Sequence, residues 1–305
     1  MNVQTNPSKS LRARMIEDMK ARGLGPTSQR AHLRACEKFA AWLGRSPETA
    51  TPDDVKRFQQ HLVESGVSVG VRNQTMTGVK YLCHVTLRRP DLVSEIFHLR
   101  EPKRLPLVLC QAEIKRLLAL APDLRSRTML SLAYGCGLRA SEVVKLRVCD
   151  VDSEQGIIRI IQSKGQKDRH VMLPTEILEL LREWWKERPT RKDGGVLPLE
   201  RWLFPSRVGK GCLTSRHFTR ILEEAVTAAG IKKRVTLHTL RHSFATHLLE
   251  RGTDIRVIQA LLGHATPTTT AGYARVATGM IAKVGSPLDD LGTPGKRRKK
   301  KAGAS

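Results

Sequence analysis

Four short segments of this chain carry side chains whose types and spacing suit work on a phosphate ester. The first is Gly135-Cys136-Gly137-Leu138-Arg139-Ala140-Ser141-Glu142. Its two glycines end one helix and set Arg139 at the start of the next. There a guanidinium would stand beside free backbone N–H groups, an arrangement suited to an anion. The second, Ser163-Lys164-Gly165, puts a lysine on a tight turn between two strands. In the third, Leu237-His238-Thr239-Leu240-Arg241-His242, a helix brings His238 and Arg241 to one face. The fourth is Leu262-Gly263-His264, followed by Thr266-Pro267 and, nine residues after His264, by Tyr273. Singly, each has an ordinary explanation: a surface arginine, a solvated turn lysine, a packed histidine, a surface tyrosine. Their joint presence is what asks for a chemical account.

That account is transfer of a phosphoryl group. Attack on a phosphodiester loads charge onto the non-bridging oxygens, and two arginines can clamp those oxygens bidentately where lysines cannot. Fixed positive charge of this kind can do the work of a metal ion. A phenol, with a pKa of about 10, needs cationic neighbours or a base such as His238 to act as a nucleophile near neutral pH. The departing sugar hydroxyl needs a proton, for which Lys164 is the best-placed acid. Of the three tyrosines, Tyr81 and Tyr134 lie in apolar stretches and read as packing residues, whereas Tyr273 sits in the polar run TTTAGYAR. A phosphotyrosine link would keep the bond energy, so resealing would need no ATP, and the chain carries no P-loop or glycine-rich nucleotide fingerprint.

Other chemistries fit less well. The six cysteines have no zinc spacing, since the closest pair, Cys136 and Cys149, is 13 positions apart. They are expected to be reduced and partly buried. A metal-dependent hydrolase built on His238, His242 and His264 lacks an acid at ligand spacing. No metal or other cofactor is expected.

The elements that must hold these residues follow from periodicity. Residues 1–100 read as helical. Ser28–Leu43 carries apolar residues on one face, Thr51-Pro52-Asp53-Asp54 is a helix start ended by Gly66, and a further helix spans Val71–Leu87. The polar, proline-containing stretch 101–106 reads as a linker. Beyond it helices are expected over Gln111–Ala121 and Ser126–Gly135. Short strands follow at Val148–Val151, Ile157–Ile161 and Arg169–Leu173, the last two joined by the turn that bears Lys164. Helices return over Pro174–Lys186, Ser215–Gly230, His238–Arg251 and Asp254–Leu262, with Leu240, Phe244, Leu248 and Leu249 facing the core. This is a mainly α, α+β chain with a small antiparallel sheet. The tail 292–305 contains KRRKKK and reads as basic and disordered.

Bulk composition agrees with a polyanionic partner. Lys and Arg number 53 against 29 Asp and Glu, a net charge of +24 over 305 residues. Such a field favours nucleic acid, with an anionic membrane surface as competitor. Aromatic residues make up only 4%. That argues against base stacking on single strands and for a duplex gripped by its phosphates. No apolar run approaches the roughly 18 residues of a membrane span, and no signal peptide opens the chain, so a cytoplasmic protein is expected.

Taken in order, GLRASE, the hairpin Lys164-Gly165, HTLRH, LGH and Tyr273 resemble the tyrosine recombinase (phage integrase) family. The runs HTLRHSFATHLL and IQALLGHATPTTTAGYA are similar to its Xer and integron-integrase branch. The long basic stretch Trp184–Trp202 departs from a minimal Xer pattern and points toward a recombinase of a mobile element. The resemblance implies a helical core-binding, DNA-binding domain over 1–100 and a tyrosine-recombinase catalytic domain over 107–291. It also implies roles. Arg139 and Arg241 bind the scissile phosphate, and Lys164 protonates the 5′ hydroxyl. His238 assists proton transfer, His264 hydrogen-bonds the phosphate, and Tyr273 forms a 3′-phosphotyrosyl link. It further implies a tetramer on duplex DNA, exchanging strands through a Holliday junction with 280–291 docked on a neighbour, and allows for accessory DNA-bending proteins. A type IB topoisomerase-like enzyme and a non-catalytic DNA-binding relic are the alternatives in other classes.

Overall fold

The computed structural model describes residues 10–101, 105–161, 168–190, 195–206 and 211–263. The chain divides into two compact units, 1–103 and 104–305. The described part is mainly helical, with one three-stranded antiparallel sheet.

In the first unit, helices α1 (Leu11–Ala21), α2 (Pro26–Leu43), α3 (Pro52–Glu64), α4 (Val69–Tyr81) and α5 (Pro90–Ser94) enclose two apolar clusters. One cluster is built on Phe39, Val55, Phe58 and Val79, the other on Met15, Met19 and Leu82. The start expected for α3 is present: Thr51 Oγ1 accepts the Asp54 N–H, and the Asp54 carboxylate accepts the Thr51 N–H at 2.8 Å. Helices α2 and α4 approach so closely that a Cβ at Gly78 would lie 2.5 Å from the Ala35 Cβ. The helix expected over Val71–Leu87 is not uniform. It changes after Tyr81 into a π turn over Leu82–Thr86, where the Leu87 N–H reaches Leu82 O at 2.9 Å. The wider turn buries Leu82 beside Met15 and Met19 of α1.

In the second unit, α6 (Gln111–Ala119), α7 (Leu124–Gly135) and α8 (Ala140–Val144) precede the sheet. Strands β1 (Val151–Asp152), β2 (Ile157–Ile160) and β3 (Arg169–Met172) pair in that order, with Ile158 opposite Val171 and Ile160 opposite Arg169. The strand expected over Val148–Val151 begins late. Residues Val148–Asp150 form a 3-10 turn, because the Asp150 carboxylate accepts the Arg147 N–H at 2.8 Å and closes the chain on itself. Helices α9 (Thr175–Glu187), α10 (Ser215–Ala228), α11 (Leu237–Glu250) and α12 (Ile255–Leu262) complete the unit. Leu240 is buried in the main core, while Phe244 and Leu249 join Ile258 and Leu262 in a second cluster that seats α12 on α11.

Part of the stretch between Trp184 and Trp202 is tied to the core. Trp184 donates its indole N–H to Leu203 O at 2.7 Å, and the Arg147 guanidinium lies over the Trp202 ring at 4.4 Å. Cys83 and Cys136 are buried and Cys36 and Cys212 partly so, but Cys110 and Cys149 are exposed; all six are unbridged.

Candidate active site

The site is assembled at the start of α8, the last residue of the β2–β3 pairing, the first half of α11 and the end of α12. Gly137 makes the first of these possible. Its φ is +61°, and a Cβ there would lie 2.5 Å from the Phe244 ring. Only glycine accepts both the left-handed backbone and that contact. The turn delivers Arg139 as the N-cap of α8.

The backbone N–H at Arg139 is not free, contrary to expectation. It donates to Glu142 Oε2 at 2.8 Å, while the Arg139 guanidinium donates to Glu142 Oε1 at 2.7 Å. Glu142 stands at the third position of α8, where a carboxylate satisfies the exposed end of the helix. It is also the centre of the cluster. Arg169 meets it with a two-pronged pair at 2.8 and 2.7 Å, and Arg241 Nη1 lies 3.9 Å from Oε2. Burial alone would raise the Glu142 carboxyl. The hydrogen bonds and charge of Arg169, followed by those from Arg139, outweigh burial and hold it at about 2.

The same three guanidinium groups converge on the end of α12. Arg169 Nε donates to Leu261 O at 2.8 Å, Arg241 to Leu262 O, and Arg139 Nη2 to Gly263 O at 3.3 Å. Three successive carbonyls at the negative end of a helix dipole thus each take a different arginine. Arg241 also donates to Gly137 O at 2.7 Å, which ties the glycine turn to α11. Its side chain is only 4% exposed, and that of Arg139 is 18% exposed.

Of the six side chains expected to act together, Arg139 and Arg241 are brought to one carboxylate and one helix end. His238, one helical turn before Arg241, is exposed, so that face of α11 runs from solvent into the core. His242 is half-buried with its ring 6.4 Å from that of His238; burial, then the nearby His238 and Arg241, lowers its pKa. Lys164, His264 and Tyr273 lie outside the described residues. Tyr81 and Tyr134 are in packed settings, Tyr81 stacked on His32 at 5.1 Å and the Tyr134 hydroxyl 3.0 Å from His247 Nδ1.

Two members of the cluster were not singled out from the sequence. Glu142 had a signal, since an acid three residues after a helix-starting residue is a capping pattern. Arg169 had none, because its partners lie in other elements. Among the described residues no group of three or more His, Cys, Asp or Glu could hold a metal ion, and no helix is long and apolar enough to cross a membrane.

A small sheet among helices, with buried guanidinium groups gathered around one carboxylate and one helix end at a glycine turn, defines the α+β class of this unit. Residues 108–280 match the phage integrase family, and residues 11–90 match the SAM-like N-terminal domain of phage integrases. The chain therefore belongs to the phage integrase family, the tyrosine recombinases, enzymes that cleave and rejoin DNA without a metal or ATP. It is 36% identical to an integrase/recombinase of Sinorhizobium fredii over 93% of this chain and 90% of that one. It is also 36% identical to the tyrosine recombinase XerA of Pyrococcus furiosus, over 88% of this chain and 91% of that one. Among solved structures, XerH bound to its difH DNA substrate in a post-cleavage complex resembles it with a TM-score of 0.66. That likeness covers 91% of this chain and 84% of XerH at 22% identity, and it speaks for the shared fold.

Proposed function

We propose that this chain is a site-specific recombinase of a mobile element that cuts and reseals duplex DNA at one phosphate held between Arg139 and Arg241. The observation that carries the reading is the charge of the cluster: three guanidinium groups stand against one carboxylate, Glu142. A phosphodiester brings one negative charge and gains more on attack, so such a pocket favours the transition state over the ground state.

In this reading the Tyr273 phenol oxygen attacks phosphorus, the bond from phosphorus to the 5′ oxygen breaks, and Lys164 gives that oxygen its proton. His238 takes the phenol proton. His264, the residue after the carbonyl that Arg139 binds, hydrogen-bonds a non-bridging oxygen. Attack by the freed 5′ hydroxyl of another strand on the 3′-phosphotyrosine reverses the chemistry and joins the strands. Residues 1–100 add DNA contacts of their own, in keeping with the net charge of +24. Four protomers pair two sites, with accessory DNA-bending proteins as further partners, in the cytoplasm. The long stretch Trp184–Trp202 and the integrase/recombinase names of its relatives favour a mobile element.

The test is covalent capture. Purified protein is mixed with a library of nicked random duplexes, denatured, and the protein-linked DNA is recovered and sequenced. One sequence class should be enriched as a 3′-linked adduct, and Tyr273→Phe should yield none. Adducts that persist in Tyr273→Phe, or none from the unaltered chain, would refute the reading.

A further inference from the structure

We propose that Arg169 is a positioning residue for strand cleavage, fixing Glu142 and the end of α12 so that Arg139 and Arg241 face the same phosphate. The inference rests on the recombinase reading above.

Arg169 is the β3 member of the pairing with Ile160, at the last rung before the connection that carries Lys164. Its side chain is 7% exposed, as is that of Glu142. Both prongs of its fork are committed to the two Glu142 oxygens, and its Nε to Leu261 O. It therefore acts through its neighbours and not on DNA. Those neighbours are the ones that matter. Glu142 orients Arg139 through both the backbone N–H and the guanidinium. Leu261 precedes the two carbonyls that orient Arg241 and Arg139. The chain then runs directly into His264.

Space as well as charge is adapted to this arginine. Gly263 has φ +59°, and a Cβ there would lie 2.8 Å from Arg169 Cδ. The helix end and the arginine stem pack without room for a side chain between them. Remove the arginine, and a buried carboxylate loses its strongest partner. Glu142 would then draw the remaining guanidinium groups onto itself and away from a phosphate. Lysine is no equivalent, because a single ammonium cannot span both carboxylate oxygens and a carbonyl.

The probe is the duplex recovered by covalent capture on the unaltered chain, nicked near its cleavage point. Arg169→Gln and Arg169→Lys are each measured for duplex affinity, thermal melting and adduct formation at saturating protein. Adduct formation is expected to fall about 10- to 100-fold in both, lysine being the milder, the scale of a small misplacement of catalytic groups. Affinity should stay within about threefold, because most duplex contacts go to phosphates elsewhere. A second substrate carries a methylphosphonate at the cleavage point, which removes the charge that the clamp must hold. On it the deficit should shrink to a few-fold. A general structural role would leave the deficit equal on both substrates and would lower affinity and melting in step; either result overturns the inference. So does a variant that forms adduct at the unaltered rate. Failure of the recombinase reading looks different, for then the unaltered chain itself forms no adduct that depends on Tyr273.

Discussion

Two carboxylates in this molecule begin from the same local device and end in different places. Asp54 and Glu142 each occupy the third position of a helix and each accept the N–H of the residue that starts it. Both are held at about 2, although burial by itself would raise them. For Asp54 the opposing forces are the Thr51 hydrogen bonds and then Arg45, a residue nine positions away and 42% exposed. For Glu142 they are Arg169, 27 positions away, and then Arg139, both largely buried. The first is a helix cap strengthened by surface arginines. The second gathers distant strands and helices around one charge. The lesson is that a depressed acid marks a site only when its partners are brought by tertiary structure and have themselves been taken out of water.

The sharpest way to break that comparison is to neutralise each acid. Glu142→Gln should cost about 3–5 kcal/mol in urea unfolding, as expected for breaking a buried ion pair. It should also cut adduct formation by at least about 100-fold, the scale of lost electrostatic preorganisation. Asp54→Asn should cost about 1 kcal/mol, a capping loss. Its adduct formation should stay within about twofold, as for changes remote from a site. Equal losses of cleavage in the two variants would mean that the Glu142 cluster is only a structural clasp.

The two regions also differ in what the sequence reveals of them. Thr51-Pro52-Asp53-Asp54 announces its own helix start, because every participant lies within four residues. The order of Arg139, His238 and Arg241 was legible as a pattern, and the two arginines do reach a common carboxylate. The centre of that cluster was not legible. Arg169 sits in a strand whose alternation says only which face it occupies, and its partners Glu142 and Leu261 are supplied by other elements. The 3-10 turn at Val148–Asp150 was missed for a similar reason: its apolar residues read as strand until Asp150 is seen closing on Arg147. The π turn after Tyr81 depends on the packing of Leu82 against α1, which no local spacing encodes.

Glycine substitutions extend the contrast at lower amplitude. Gly137 and Gly66 share a left-handed backbone, φ +61° and +67°. A Cβ at Gly66 meets open space, whereas one at Gly137 strikes the Phe244 ring at 2.5 Å. Gly66→Ala should therefore cost about 1–2 kcal/mol, the conformational penalty alone. Gly137→Ala adds overpacking of about 1–3 kcal/mol. It should slow adduct formation as well, because Gly137 O holds Arg241. Denaturant unfolding of the two variants checks the order, and a costlier Gly66→Ala would show that packing around the cluster is looser than the geometry implies.

Acid titration gives a smaller and more gradual signal. Both carboxyls lie below their ordinary values in the folded chain, so each stabilises it when ionised. That stability is complete above the pKa of the unfolded carboxyl, 4.5 for Glu142 and 3.8 for Asp54, and is lost as the pH falls through about 2. Melting measured from pH 6 downward should fall across this window. Glu142→Gln should flatten the fall more than Asp54→Asn does. If Asp54→Asn flattens it more, the Asp54 cap and not the Glu142 cluster is the stronger acid sensor.

The smallest expected effect is the most direct test of why the two acids differ. Arg57 pairs with Asp54 at 2.9 Å but is 62% exposed. In water such a pair gains little and orders two side chains, so its net worth is about 0–1 kcal/mol. Removing it leaves Asp54 with the Thr51 N–H at 2.8 Å and Arg45 at 2.5 Å. Arg57→Ala should shift the urea midpoint barely beyond error and leave adduct formation unchanged. The depressed carboxyl of Asp54 survives because the Thr51 N–H and Arg45 remain, whereas Glu142 without Arg169 keeps the Arg139 N–H but must share the Arg139 guanidinium with the phosphate. A loss above about 2 kcal/mol in Arg57→Ala would exceed what an exposed pair can supply. It would mean that the exposure of the arginine partners is the wrong criterion for separating these two acids.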